Sequence, residues 1–170
     1  MSTKSKAVIC SVAAILGIAF GLPEFKNTRL SREGYALVAQ AEGCRREAYK
    51  CSAGVQTTGI GHTASVRPAS SLSDPQIARL FIHDINIAEK NVNRCIHVPL
   101  TQFQYDAFVS LAFNIGGRAF CHSTLVREAN AGNPGKACQE LSRWVFADGK
   151  RNAGLAARRQ REVLHCLKEK

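Results

Sequence analysis

The hydrophobic spacing of the chain predicts an α+β fold that is mostly helical, with a small β-hairpin lobe and a long helix between lobes. Three observations carry this reading. A short helical pattern ending at Glu42 gives way to β-like pieces up to His62, the longest helical pattern in the chain follows, and further helical stretches fill the rest. With 170 residues, 45% of them hydrophobic and 21% charged, the chain can bury one core, in a single domain or one pinched into two lobes. No repeat or long polar tract suggests disorder.

Lys4 and Lys6 precede an uncharged run from Ala7 to Leu22 (AVICSVAAILGIAFGL), which Pro23 and Glu24 end. The layout is that of an export signal. The run is shorter than the roughly 20 residues of a spanning helix and is diluted with Ala, Gly and Ser, so it would hold a membrane weakly. Two outcomes stay open, cleavage at the small-residue site Ala19-x-Gly21 or retention as a weak transmembrane anchor. Retention is favoured, because Leu22-Pro23 hinders a signal peptidase and because Cys10 then has a use. The flanking positives, Lys4 and Lys6 against Lys26 and Arg29, specify orientation only weakly.

Ser31 caps a short amphipathic helix carrying Tyr35, Leu37, Val38 and Ala41, with Glu33 in its first turn and Gly43 as its stop. From Arg45 to His62 the pieces AYKC and VQTTGI, separated by Ser52-Ala53-Gly54, predict a hairpin. Ser73-Asp74-Pro75 opens the long helix, with Ile77, Leu80, Phe81, Ile85, Ala88 and Val92 at spacings of three and four. Helices are then expected over 101–114, 123–131, 134–145 and 152–167, broken at Gly116-Gly117, Gly132 and Gly149. The basic run Arg158, Arg159 and Arg161 is read as a solvated helix face.

A net charge of +10 calls for an anionic partner: nucleic acid, acidic lipid or an acidic bacterial wall. Nucleic acid fits poorly, since no run interleaves aromatic and basic residues. Seven cysteines, together with an export-like start, suggest disulfides formed outside the cytoplasm, with one thiol left over. Zinc is not indicated. There is no Cys-x-x-Cys pair, and His62, His83, His97, His122 and His165 have neither finger nor HExxH spacing.

A glutamate at a helix end facing a hairpin can place a general acid against a second group that steers water, the two-sided arrangement that inverting glycoside hydrolysis needs. Glu42, with Cys51 and Thr57 on the hairpin, has that layout. Taken singly, each also suits a plainer role, a solvated surface carboxylate or half of a structural disulfide. The segment EGCRREAYKCSAGVQTTGIGHT, from Glu42 to Thr63, resembles the active-site segment of phage-type lysozymes (glycoside hydrolase family 24), a Glu-x8-Asp/Cys-x5-Thr pattern followed by Gly-x-Gly-His. The likeness continues in LTQFQYDAFVSLAFNIG (100–116), in Arg143-Trp144 and in GLAARRQRE (154–162).

The resemblance implies a lysozyme-like fold and an N-acetylmuramidase that cuts peptidoglycan with inversion, without metal or other cofactor. In it Glu42 is the general acid, and Cys51 and Thr57 position and activate the attacking water. Thr63 and Phe113 are candidates for lining the glycan cleft, though Phe113 equally suits core packing. The commoner residue at position 51 is aspartate. A thiol with an ordinary pKa of about 8.5 is mostly neutral at pH 7, so a thiolate there needs help, for which Arg45 or Arg46 are candidates. Whether Cys51 is a base or a positioner stays open.

Cys44 and Cys51 stand across the expected hairpin, and a bridge between them would disable the site. Cys10, in the weak anchor, could attack Cys44 after release and free Cys51, an arrangement that resembles signal-anchor-release endolysins. The alternative is that Cys44–Cys51 is a permanent staple. The pairing of Cys95, Cys121, Cys138 and Cys166 is open. The expected organisation is an export signal or anchor over 1–26 and a catalytic domain over 27–170. The protein is expected to be a monomer, exported by the host, tethered to the inner membrane and periplasmic on release, with peptidoglycan and no nucleic acid as partner.

Overall fold

A computed structural model describes residues 9–50 and 54–169. The chain forms two compact units, one of residues up to Thr28 with Ala39–Asp84, the other of Arg29–Val38 with Ile85 onward. The mostly helical α+β class is as expected.

In the first unit the Ser11 hydroxyl accepts the Ala14 N–H at 3.3 Å and so caps α1, Val12–Gly21. Ile15 and Ala19, four residues apart on one face of α1, are completely buried. A short 3-10 turn, Pro23–Asn27, follows, with the rings of Phe20 and Phe25 5.0 Å apart. Ahead of α1, Ile9 bridges to Arg45, the Cys10 N–H donates to the Cys44 carbonyl at 3.3 Å, and Cys10 and Cys44 form a disulfide. Within the run read from sequence as an anchor, Val12–Gly21 is thus, in this form, a helix about 15 Å long with a buried face. No helix among the described residues is long and apolar enough to cross a membrane.

β1 (Arg45–Lys50) and β2 (Gln56–Gly59) pair antiparallel, in keeping with the turn residues between them. The register shifts from Arg45↔Gly59 to Tyr49↔Thr57, which leaves two extra residues on β1. Those residues face the other edge: the Ala48 N–H donates to Ser70 O at 2.9 Å, and the Leu72 N–H to Arg46 O at 3.0 Å. The segment 70–72 so covers an edge for which the sequence predicts no partner. Cys51 lies at 51–53, outside the described residues. α3, Asp74–Cys95, has Pro75 in its first turn, and the Arg46 guanidinium grips Asp74 with two bonds of 2.7 and 2.9 Å.

In the second unit α2 (Arg32–Glu42) starts where expected, with Ser31 Oγ accepting the Gly34 N–H at 3.0 Å. Gly34 is required there, since a Cβ would stand 2.6 Å from Leu30 Cδ1 and 2.8 Å from Asp106 Cγ. Four helices complete the unit: α4 (Gln102–Cys121), α5 (Thr124–Asn130), α6 (Pro134–Glu140) and α7 (Ala153–Cys166). Disulfides join Cys95 to Cys121 and Cys138 to Cys166, which settles the open pairing.

Two expectations need correction, and one stands: the first stretch of α4 ends at the expected break, Gly116, whose φ of 79° and ψ of 158° are not helical, and a second short helical stretch follows it to Cys121. The helix expected over 134–145 stops at Glu140; a 3-10 turn, Leu141–Arg143, and a small hairpin, β3 (Phe146–Ala147) with β4 (Lys150–Arg151), replace its end. Asp148 and Gly149 make that hairpin's turn, both at positive φ (50° and 73°). The basic run on α7 is not a solvated face: Arg158 and Arg159 are buried and only Arg161 points outward. Glu162, wholly buried, explains this, with Arg158 Nε at 3.0 Å, Arg159 Nη1 at 3.1 Å and the Ser110 hydroxyl donating at 2.6 Å.

Candidate functional site

Glu42 is the last residue of α2, and Gly43 (φ 70°) ends the helix by turning the chain back toward β1. The unsatisfied backbone groups of a helix's final turn are carbonyls, not N–H donors, so the helix end offers this carboxylate no backbone donor, and its side chain lies on the hairpin side. Its neighbour on that side is Gly61: a Cβ at this position (φ 71°) would stand 3.0 Å from Glu42 Oε2 and 3.2 Å from Cδ. The side chain is half-buried.

Thr57 is on β2, 4% exposed, and its hydroxyl donates to the Val55 carbonyl at 3.1 Å. That bond uses the hydroxyl proton and leaves oxygen lone pairs able to accept from a water. Beyond it, Thr58 and His62 exchange both backbone bonds (Thr58 N–H to His62 O 2.9 Å, His62 N–H to Thr58 O 3.0 Å), closing a tight turn over Gly59, Ile60 and Gly61. Glu42 and Thr57 therefore belong to one unit and border the same turn. Cys51 falls outside the described residues.

The two arginines considered as helpers for Cys51 are both engaged. Arg46 is held by Asp74, whose carboxyl it keeps below the usual range, and the Arg45 guanidinium lies 4.3 Å from the Tyr49 ring centroid. Thr63 is exposed, three residues along from Ile60 in the same unit. Phe113 is half-buried on α4, in the other unit.

Sequence reasoning missed Asp84. The His62 imidazole Nδ1 lies 2.7 Å from Asp84 Oδ2, with both side chains largely buried. Burial pushes the Asp84 carboxyl up, and the bond to His62 opposes that rise. The Gly-x-Gly-His motif announced the histidine, but nothing local marks Asp84 as its partner, since the pair spans 22 residues. Among the described residues no group of three or more His, Cys, Asp or Glu side chains is placed to hold a metal ion.

Comparison with known proteins sets this geometry in context. A family model described as phage lysozyme matches residues 39–162. An endolysin of Acyrthosiphon pisum secondary endosymbiont phage 1 is 41% identical over 78% of this chain and 94% of its own length. A protein named SAR-endolysin from Haemophilus phage HP1 is 33% identical over 99% of this chain and all of its own. The crystal structure of the active form of P1 phage endolysin Lyz superposes with a TM-score of 0.85 at 32% identity, covering 96% of both chains. The secreted inactive form of that same protein superposes less well, with a TM-score of 0.59 at 31% identity over 81% of this chain and 95% of that one.

Proposed function

The chain belongs to the phage lysozyme family and is a glycoside hydrolase, and on that premise we propose that it is an inverting N-acetylmuramidase acting on peptidoglycan to lyse the host. Glu42 protonates the leaving glycosidic oxygen, while Thr57 and Cys51 hold and activate the water that attacks from the opposite side. Thr63 and, separately, Phe113 are further contacts for the glycan. The observation that carries this reading is Glu42 at the end of α2, its carboxylate against the same Gly59–His62 turn that Thr57 leads into.

The enzyme works as a monomer, with residues 1–26 as export signal and weak inner-membrane anchor and residues 27–170 as catalytic domain. Before release Cys44 is bonded to Cys51. After release the Cys10 thiolate attacks Cys44 sulfur, the Cys44–Cys51 bond breaks, and Cys51 leaves as a thiolate with no net oxidation. Two findings support this order: Cys44 is bonded to Cys10 in this structure, and the fold matches the active form of the P1 enzyme better than the inactive one. To lie in the bilayer the segment has to leave the packing that buries Ile15 and Ala19, so the tethered and periplasmic forms differ in this segment.

Clearing of permeabilised bacteria tests the chemistry. Glu42→Gln should lose at least about a thousandfold in lysis rate while keeping its thermal midpoint. Cys51→Ser should lose most activity and Cys51→Asp retain some. Full lysis by Glu42→Gln contradicts the assignment. Peptide mapping of released protein under non-reducing conditions tests the switch, which a persistent Cys44–Cys51 link in active enzyme rules out.

A further inference from the structure

The tight turn between Thr58 and His62 does more than carry the chain out of β2. Its backbone at Gly61 comes so close to Glu42 that a Cβ there would stand 3.0 Å from Oε2. Contact of that kind fixes where the carboxylate can lie, because any shift of the turn toward α2 would push the side chain and any shift away would release it. The turn also sets Thr57, which precedes Thr58 on β2. The spacing between the two groups therefore depends on where this turn sits.

The turn is fastened to α3 at two places. Gly59 lies against Ile77, where an added Cβ would be 3.1 Å from Cγ2. His62 reaches Asp84 with a 2.7 Å bond. Ile77 and Asp84 are seven residues apart, two helical turns or about 10.5 Å along α3. Two attachments at that separation stop the turn from sliding along the helix and from pivoting about either point. The first is van der Waals contact and tolerates small movement; the second is a short, directional bond in a place with little water, where a mismatch of a few tenths of an ångström is felt.

We propose that His62 and Asp84 are positioning residues for the hydrolysis: together they lock the Gly59–His62 turn so that Gly61 holds the Glu42 carboxylate at its working distance from Thr57. The inference rests on the reading of Glu42 as the general acid and adds a partner pair to it. An ionised Asp84 makes Nδ1 the donor and so also fixes the imidazole's orientation. Displacements of about an ångström at a reacting group cost up to a hundredfold in rate, so a loosened turn should register in turnover and hardly in substrate capture.

The test measures kcat and KM on soluble peptidoglycan strands, well below the thermal midpoint of each variant, for His62→Ala, His62→Gln, Asp84→Leu and Gly61→Ala beside Glu42→Gln. His62→Ala and Asp84→Leu should lower kcat by about ten- to a hundredfold with KM within about threefold. His62→Gln, whose amide can still reach Asp84, should recover part of that loss, and Gly61→Ala should match the loss while leaving the His62–Asp84 bond in place. His83→Gln, on the exposed side of the same helix, should behave as wild type. If His62→Ala keeps full kcat and merely melts earlier, the pair is a structural tie and the inference fails. If His62→Ala does not fold, a wild-type kcat in Gly61→Ala overturns it equally. An active Glu42→Gln removes the general acid itself, and the inference with it; an inactive Glu42→Gln with fully active positioning variants removes the inference alone.

Discussion

In the unit that carries Glu42 and Thr57, the ion pair Arg46–Asp74 is open to water, with side chains 36% and 24% exposed, and the disulfide is the one Cys10 makes with Cys44. In the other unit Arg158, Arg159, Glu162 and Asp106 are between 0 and 4% exposed, and two disulfides close loops of 26 and 28 residues. Buried polar groups there satisfy one another: Asp106 accepts from the Ser31 hydroxyl at 2.5 Å and from Gln102 Nε2 at 2.7 Å, and His165 Nε2 lies 3.1 Å away. One unit is built to stay fixed. The other leaves the Arg46–Asp74 pair near its surface, buries the His62–Asp84 pair beside the site and, on the proposed mechanism, changes a covalent bond during its working life. Concentrating rigidity away from the part that must rearrange is the pattern that regional differences in stability lead one to expect.

The comparison breaks most visibly at Glu162. Its removal in Glu162→Ala leaves two buried guanidiniums without their carboxylate, and the expected loss is about 3–5 kcal/mol in urea unfolding at neutral pH. A loss below about 1 kcal/mol would mean that the network contributes little and that the two units are not so different.

The cysteines sharpen the contrast because the same chemistry should give opposite readouts. Replacing both Cys138 and Cys166 by serine should cost about 3 kcal/mol of stability through the freed 28-residue loop, with turnover unchanged at low temperature. Cys10→Ser should do the reverse, leaving the protein folded and its released form inactive because Cys44 stays bonded to Cys51. Lysis by released Cys10→Ser at the wild-type rate contradicts the exchange.

A smaller effect lies in pH. Glu89 accepts the N–H groups of Arg29 at 2.9 Å and Leu30 at 2.6 Å, yet burial still pushes its carboxyl up. A folded pKa above the unfolded one means that the native chain binds the proton more tightly. The contribution is complete below the unfolded pKa and is lost as pH rises through the folded value. Asp84 has the same sign. Urea midpoints measured from about pH 4 to 7 should therefore fall less steeply in Glu89→Gln than in wild type. An identical slope contradicts the direction of the shift.

Much of the fold was legible because local chemistry agreed with the final packing. Ser31, Gly43, Ser73-Asp74-Pro75 and Asn152 mark helix ends by capping and φ preference alone, and each stands at or beside the boundary it announced. The features that stayed hidden depend on partners distant in sequence. Arg158 and Arg159 look like a wet face until Ser110 and Asn114 of α4 are brought to them. Gly116, by contrast, was legible: a glycine's freedom at positive φ marks the break, and the backbone leaves the helical region there. The Asp148-Gly149 turn was in principle readable, but strands of two residues give no alternation to confirm it.

At the candidate site the motif itself exposed Glu42, Cys51 and Thr57, since their proposed roles rest on spacing within a short segment. It also named His62 without a reason for it. Its bonded partner is Asp84, which the quoted motif does not include.

The most direct test of the proposed muramidase is the structure of its first product. Released enzyme carrying the Cys10–Cys44 bond, acting on purified peptidoglycan, should leave new reducing ends on N-acetylmuramic acid, with the configuration at that carbon opposite to the one in the bond that was cut, as read by NMR before mutarotation. Reducing ends on N-acetylglucosamine, or a first product of retained configuration, would contradict it.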